Sequence, residues 1–184
     1  MSRFARADPP MTLRQHIRYV TALDGTRLAW ADAGTGPVVI KAANWMTHLC
    51  YEWSSPVWKH WLQFFSSRYR FVRYDERGCG MSDWSPNTPL TRDQWASDLE
   101  QVVEAAQPAE PVTLLGISQG AATCIHYAIR HPERVARLIL YGGYAHGALK
   151  RHVPAAATAH RAMIDLARVA WGRDNPTFRQ VFTS

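Results

Sequence analysis

The chain has 184 residues, 47% of them hydrophobic and 20% charged, a globular composition with room for one sizeable core or two small ones, which excludes a disordered or fibrous chain. Its net charge is +6, but the 21 basic residues, all but three of them arginine, are spread along the sequence, which argues against a nucleic-acid surface. The longest apolar runs, such as Leu138 to Tyr141, fall far short of the roughly 20 residues of a membrane span, and no apolar stretch follows Arg3 and Arg6, so the expectation is a cytoplasmic protein without nucleic-acid or membrane partners.

In chain order, His16 to Ala22 and Thr26 to Ala31 read as strands around an Asp24-Gly25 two-residue turn. Pro37 to Ala42 is a third strand. Pro56 to Ser67 carries Val57, Trp58, Trp61, Leu62 and Phe65 at helical spacing, with the proline in a first turn. Arg70 to Tyr74 is strand-like again. Thr91 can cap a helix to Gln107 whose stripe is Trp95, Leu99, Val102, Val103 and Ala106. Val112 to Ile117 is an apolar run of the kind buried on both faces, Gln119 to Arg130 is helical, and Val135 to Tyr141 is a further buried strand. Ala155 to Trp171 is an Ala-rich helix, Asn175-Pro176 breaks the chain, and residues 178–184 are too few to classify. A hairpin followed by alternating strands and helices predicts an α/β fold with a mostly parallel sheet, whose ligands sit beyond the carboxyl ends of the strands.

Cys50, Cys79 and Cys124 lie 29 and 45 positions apart with no CxxC pair. Neither a disulfide framework nor a metal site is expected, and no cofactor is called for.

The chemistry concentrates at Gly116-Ile117-Ser118-Gln119-Gly120, a G-x-S-x-G pentapeptide between a buried strand and a helix. That turn is sharp enough to require both glycines. It holds the Ser118 hydroxyl at the mouth of the sheet and aims the Gln119 N–H at a developing oxyanion. Asp75-Glu76-Arg77-Gly78-Cys79-Gly80-Met81-Ser82 follows the fourth strand.

With both motifs in this order, the chain resembles the α/β-hydrolase fold superfamily from about Val20 to Tyr144. The resemblance implies a sheet of about six strands with flanking helices. It makes Asp75 and Arg77 structural pins beside the active-site mouth and Ser118 the nucleophile. The family's first oxyanion donor comes from the loop after the third strand, usually His-Gly-x. Here that loop reads Ala42-Ala43-Asn44-Trp45-Met46, so Asn44 or Trp45 takes the position. The Asn-Trp variant and the Trp-rich segment Trp53 to Trp61 resemble a bacterial subgroup in which such domains occur alone or joined to nucleotide-cyclase and transcription-regulator modules.

In family order the catalytic acid and histidine follow the seventh and eighth strands. Only six strands are legible by Tyr141, so the expectation is an incomplete hydrolase core over 1–146 and the start of a helical cap or C-terminal helices over 147–184. Of eight histidines, His48 in the oxyanion-side loop and His146 after the sixth strand fall on the correct edge to replace the base, with a satisfied loop histidine as the default. His60, His126 and His131 are expected in solvent, and Asp165 is expected as a surface charge. The tryptophans offer either an apolar acyl pocket or plain core.

The leading expectation is a serine hydrolase acting on small carboxylic esters, thioesters or lactones. The alternatives are a non-catalytic ligand-sensing or interaction module and a fragment of a longer hydrolase. An apolar sixth strand at the sheet edge further predicts a homo-oligomer paired through it, which light scattering tests.

Overall fold

The computed structural model describes residues 14–84, 90–147, 150 and 154–182. It divides into two compact units, one ending at Gly143 and one beginning at Tyr144. The first unit holds a six-stranded sheet of β1 (His16–Thr21), β2 (Arg27–Ala33), β3 (Val38–Lys41), β4 (Arg70–Tyr74), β5 (Val112–Ile117) and β6 (Val135–Tyr141), in the order β1-β2-β4-β3-β5-β6. β1 and β2 run antiparallel to each other, and β2 to β4; β4, β3, β5 and β6 are mutually parallel. Its helices are α1 (Leu49–Ser54), α2 (Lys59–Ser66), α3 (Arg92–Ala106) and α4 (Gln119–Arg130). The second unit contains α5 (Pro154–Ala170) and α6 (Pro176–Phe182). Among the described residues no helix is long and apolar enough to cross a membrane.

The central strands are buried on both faces, and their alternation separates two cores. Ile40, Val72 and Leu114 point toward α3 and α4 and pack with Leu99, Val102, Val103 and Tyr127. Their neighbours Val39, Phe71 and Leu115 point the other way, against Leu62 and Phe65 of α2, where the Phe65 and Phe71 rings stack at 4.8 Å. α3 follows the predicted stripe, with Thr91 Oγ1 accepting the Gln94 N–H at its start.

Four local expectations change. The hairpin encloses three residues, Leu23-Asp24-Gly25, because the Ala22 N–H still bonds to the Thr26 carbonyl and Gly25 takes φ +85°; a left-handed third residue is the usual way to close such a loop. The helix expected from Pro56 begins only at Lys59, and the unpredicted α1 precedes it. Ser55 caps α1, and the Trp58 and Lys59 N–H groups turn back onto the Ser55 carbonyl, so α2 starts after the proline rather than on it. The segment past Asn175 is helical because Asn175 Oδ1 accepts the Phe178 N–H and Pro176 fits the first turn. β6 is not buried. It has one neighbour, β5, and its Leu138, Ile139, Leu140 and Tyr141 are 40–62% exposed, because an apolar run alone does not distinguish a central strand from an edge.

Candidate active site

β5 runs straight into the turn that carries Ser118. Ser118 has φ 52° and ψ −116°, a conformation non-glycine residues avoid and one that costs about 1–3 kcal/mol. Its N–H donates to the Tyr141 carbonyl of β6 (2.9 Å), and its carbonyl accepts the Ala121 N–H (3.1 Å), so the strain is held from both sides. The flanking glycines are steric necessities. A Cβ on Gly116 would stand 2.5 Å from Ala121 Cα, and one on Gly120 would stand 3.0 Å from the Ala43 carbonyl oxygen. The second contact matters most, because it lets the start of α4 rest against the loop that leaves β3. The start of α4 is thereby placed beside Ala42 and Ala43, and its first N–H groups, which have no intrahelical acceptor, lie at the carboxyl end of β5.

The loop after β3 is held from beneath. Lys41 is buried at the end of β3, and its ammonium donates to Asn44 Oδ1 (2.6 Å) while lying 5.0 Å above the Trp58 ring. Burial pushes its pKa down, with Arg73 adding to that effect and Glu52 opposing it. Trp45 and Met46 follow on the exposed side, Met46 with φ 59°.

The Asp75–Ser82 loop closes the floor. Buried Asp75 accepts the N–H groups of Leu49 (3.1 Å) and Met81 (2.9 Å) on one carboxylate oxygen. Ser82 Oγ bridges the Asp75 carbonyl and the Ala29 N–H. The Arg77 guanidinium, fully buried, meets both oxygens of Asp98 (2.7 and 2.6 Å) and Asp24 Oδ2 (2.7 Å). Burial raises the carboxyls of Asp75 and Asp98, with hydrogen bonds opposing it in each case. Asp75 therefore serves as an anchor for two loops.

The histidines divide. His48 lies in the oxyanion-side loop, where its Nδ1 caps α1 by accepting the Tyr51 N–H (3.4 Å) and its ring lies 4.1 Å from that of Tyr51. His146 belongs to the second unit. His60 is exposed. His126 and His131 are half-buried rather than solvated, because α3 packs on α4 and sets Asp93 3.5 Å from His126 Nε2 and Glu100 3.0 Å from His131 Nε2. Asp165 is exposed and pairs with Arg168. Among the described residues, no side chain is hydrogen-bonded to the Ser118 hydroxyl.

As to the two alternatives for the tryptophans, Trp53, Trp58 and Trp61 pack on the Val39–Phe71–Leu115 cluster, with the Trp58 ring over the Lys41 ammonium and the Trp53 ring over the Arg73 guanidinium. Several polar residues that build the site were also missed: Lys41, Glu52, Glu76 and Asp98. Each sits inside or beside an apolar run, and an acid within the apolar stripe of α3 is the signal that could have paired Asp98 with Arg77.

The alpha/beta hydrolase fold family model matches residues 46–182. "Probable oxidoreductase EphD" of Mycobacterium tuberculosis is 30% identical over 152 residues, which cover 75% of this chain and 24% of the relative. A 2-hydroxymuconate semialdehyde hydrolase of a Pseudomonas species is 33% identical over 109 residues, covering 59% of this chain and 34% of the relative. The esterase EaEST from Exiguobacterium antarcticum superposes with a TM-score of 0.66 at 26% identity, over 89% of this chain and 59% of that structure. The chain thus spans a minor part of the length of these two curated relatives. With the strand order, the strained serine turn and the Asp75–Ser82 loop in place, the matched residues make this chain a member of the α/β-hydrolase fold superfamily.

Proposed function

We propose that the protein is a serine hydrolase acting on small carboxylic esters, thioesters or lactones. Ser118 is the nucleophile, and the N–H groups of Gln119 and of the Asn44–Trp45 stretch are the oxyanion donors. The observation that carries this reading is the backbone of Ser118, held at φ 52° on a turn where Gly116 leaves no room for a Cβ and Gly120 leaves little, since strain of this kind persists where the surroundings over-determine it for function. In the reaction the Ser118 oxygen bonds to the substrate carbonyl carbon and its proton passes to a base. The tetrahedral oxyanion is held by the backbone donors and collapses with loss of the alcohol, thiol or ring oxygen. Water then releases the acid and restores the hydroxyl. His48, in the same unit as Ser118, is the candidate for the base.

The absence of a described hydrogen bond to the Ser118 hydroxyl favours a second reading, in which the same turn frames a ligand-binding module without turnover. Incubation of the 184-residue chain with a fluorophosphonate, followed by intact mass, separates the two. A single adduct that disappears in Ser118→Ala supports the hydrolase. A folded protein that takes no adduct supports the binding module.

A further inference from the structure

Glu76 occupies the variable second position of the Asp75–Ser82 loop, and the structure gives it more to do than that position requires. It is buried, 6% exposed, at the centre of three segments. Its Oε1 accepts the Nε2–H of Gln119 (3.0 Å), the first residue of α4. Its backbone N–H donates to Oγ1 of Thr47 (2.9 Å), a buried residue of the loop that leaves β3. One residue therefore grips both sides of the proposed oxyanion hole, which also meet at the close approach of Gly120 to the Ala42 and Ala43 carbonyls and in the packing of Cys124 with Ala42 and Ala43.

We propose that Glu76 is a positioning residue that fixes the Gln119 N–H relative to the Asn44–Thr47 loop, and so sets the width of the oxyanion hole. This rests on the reading of Ser118 as a nucleophile. The physical ground is that one buried side chain, bonded to Gln119 at 3.0 Å through its carboxyl and to Thr47 at 2.9 Å through its own backbone N–H, ties two segments at a single point. Oxyanion donors act through placement to within fractions of an ångström, so stiffness at this joint is converted into rate. The groups facing the carboxylate are Gln119 of α4, Asp98 of α3, Tyr74 of β4 and Cys79 of its own loop. Burial raises the Glu76 pKa above the ordinary glutamate value, Asp98 adds to the rise, and the Gln119 bond opposes it. Protonation loosens the joint.

The test uses the whole chain and two readouts. In nitrogen-15 spectra of the wild type, the Gln119 side-chain and backbone N–H resonances shift with one midpoint above the ordinary glutamate value, and in Glu76→Gln that step is gone. Gln119 resonances that ignore pH in the wild type, or that titrate unchanged in Glu76→Gln, overturn the proposal. In fluorophosphonate kinetics, Glu76→Ala lowers the maximal rate of Ser118 modification about tenfold with little change in the half-saturating concentration, and Glu76→Gln restores most of it. Gln119→Leu cuts the same bond from its other end and gives the same loss if Glu76→Ala does not fold. A rate in both cutting variants equal to that of the wild type overturns the proposal. A wild type that takes no adduct defeats the hydrolase reading instead, and the spectra then decide the role of Glu76 alone.

Discussion

The turns after β4 and β5 leave the sheet at the same edge and are built in opposite ways. After β4, the polar motif side chains are buried and tied: Asp75 to two backbone N–H groups, Arg77 to two carboxylates, Ser82 to a carbonyl and an N–H. After β5, Ser118 is tied through its backbone alone and its side chain is exposed on strained φ and ψ, while the neighbouring Gln119 side chain reaches across to Glu76. The contrast separates a part of the fold that gains stability from polar contacts from a part that gives up stability to present a hydroxyl.

Four substitutions break or sharpen that contrast, in descending size. Arg77→Ala strands the buried Asp98 carboxylate and should cost about 3–5 kcal/mol, read as a fall in the urea midpoint. Gly116→Ala sets a methyl against the Ala121 backbone and should cost about 1–3 kcal/mol. Here fluorophosphonate labelling of Ser118 should fall even at temperatures where the variant remains folded, because the displaced atoms are those of the serine turn. Ser118→Gly should be more stable than Ser118→Ala by about 1 kcal/mol, since only glycine relieves the positive φ. Equal thermal midpoints for the two would mean that the turn stores no strain.

The smallest effect is one of pH. Burial lifts the Asp75 carboxyl above its usual 3.8. The protonated folded form is therefore favoured relative to the unfolded chain. Its contribution to stability is full below 3.8 and lost as pH rises through the lifted value. Denaturant titrations of wild type and Asp75→Asn across that window should diverge, with the wild type falling relative to the variant as pH rises. Parallel curves would show that the two backbone N–H donors fully offset the burial.

Much of this arrangement is legible in the chain. The runs Pro37–Ala42, Arg70–Tyr74 and Val112–Ile117, and the α3 stripe through Leu99, Val102 and Val103, fix strands and helix by periodicity. The two glycines around Ser118 mark a turn too tight for side chains. These are local signals, carried by spacing and by backbone sterics, and a sequence displays them directly. The polar partners are different. Asp98 meets Arg77 across 21 positions, Glu76 meets Gln119 across 43, and Arg73 meets Glu52 across 21; an acid in the α3 stripe hints at a buried partner for Asp98, but the segments carrying Glu76 and Glu52 give no such signal.

What the sequence by itself determined, then, is the six strands in chain order, the serine turn and the loop that faces it, because each is encoded within a few neighbouring residues. Only the tertiary structure decided that Trp53 and Trp58 lie over buried cations, that Arg77 meets Asp98, and that Glu76 joins two loops. These follow from which strand stands beside which, and that choice depends on the packing of the whole sheet rather than on any one stretch of chain.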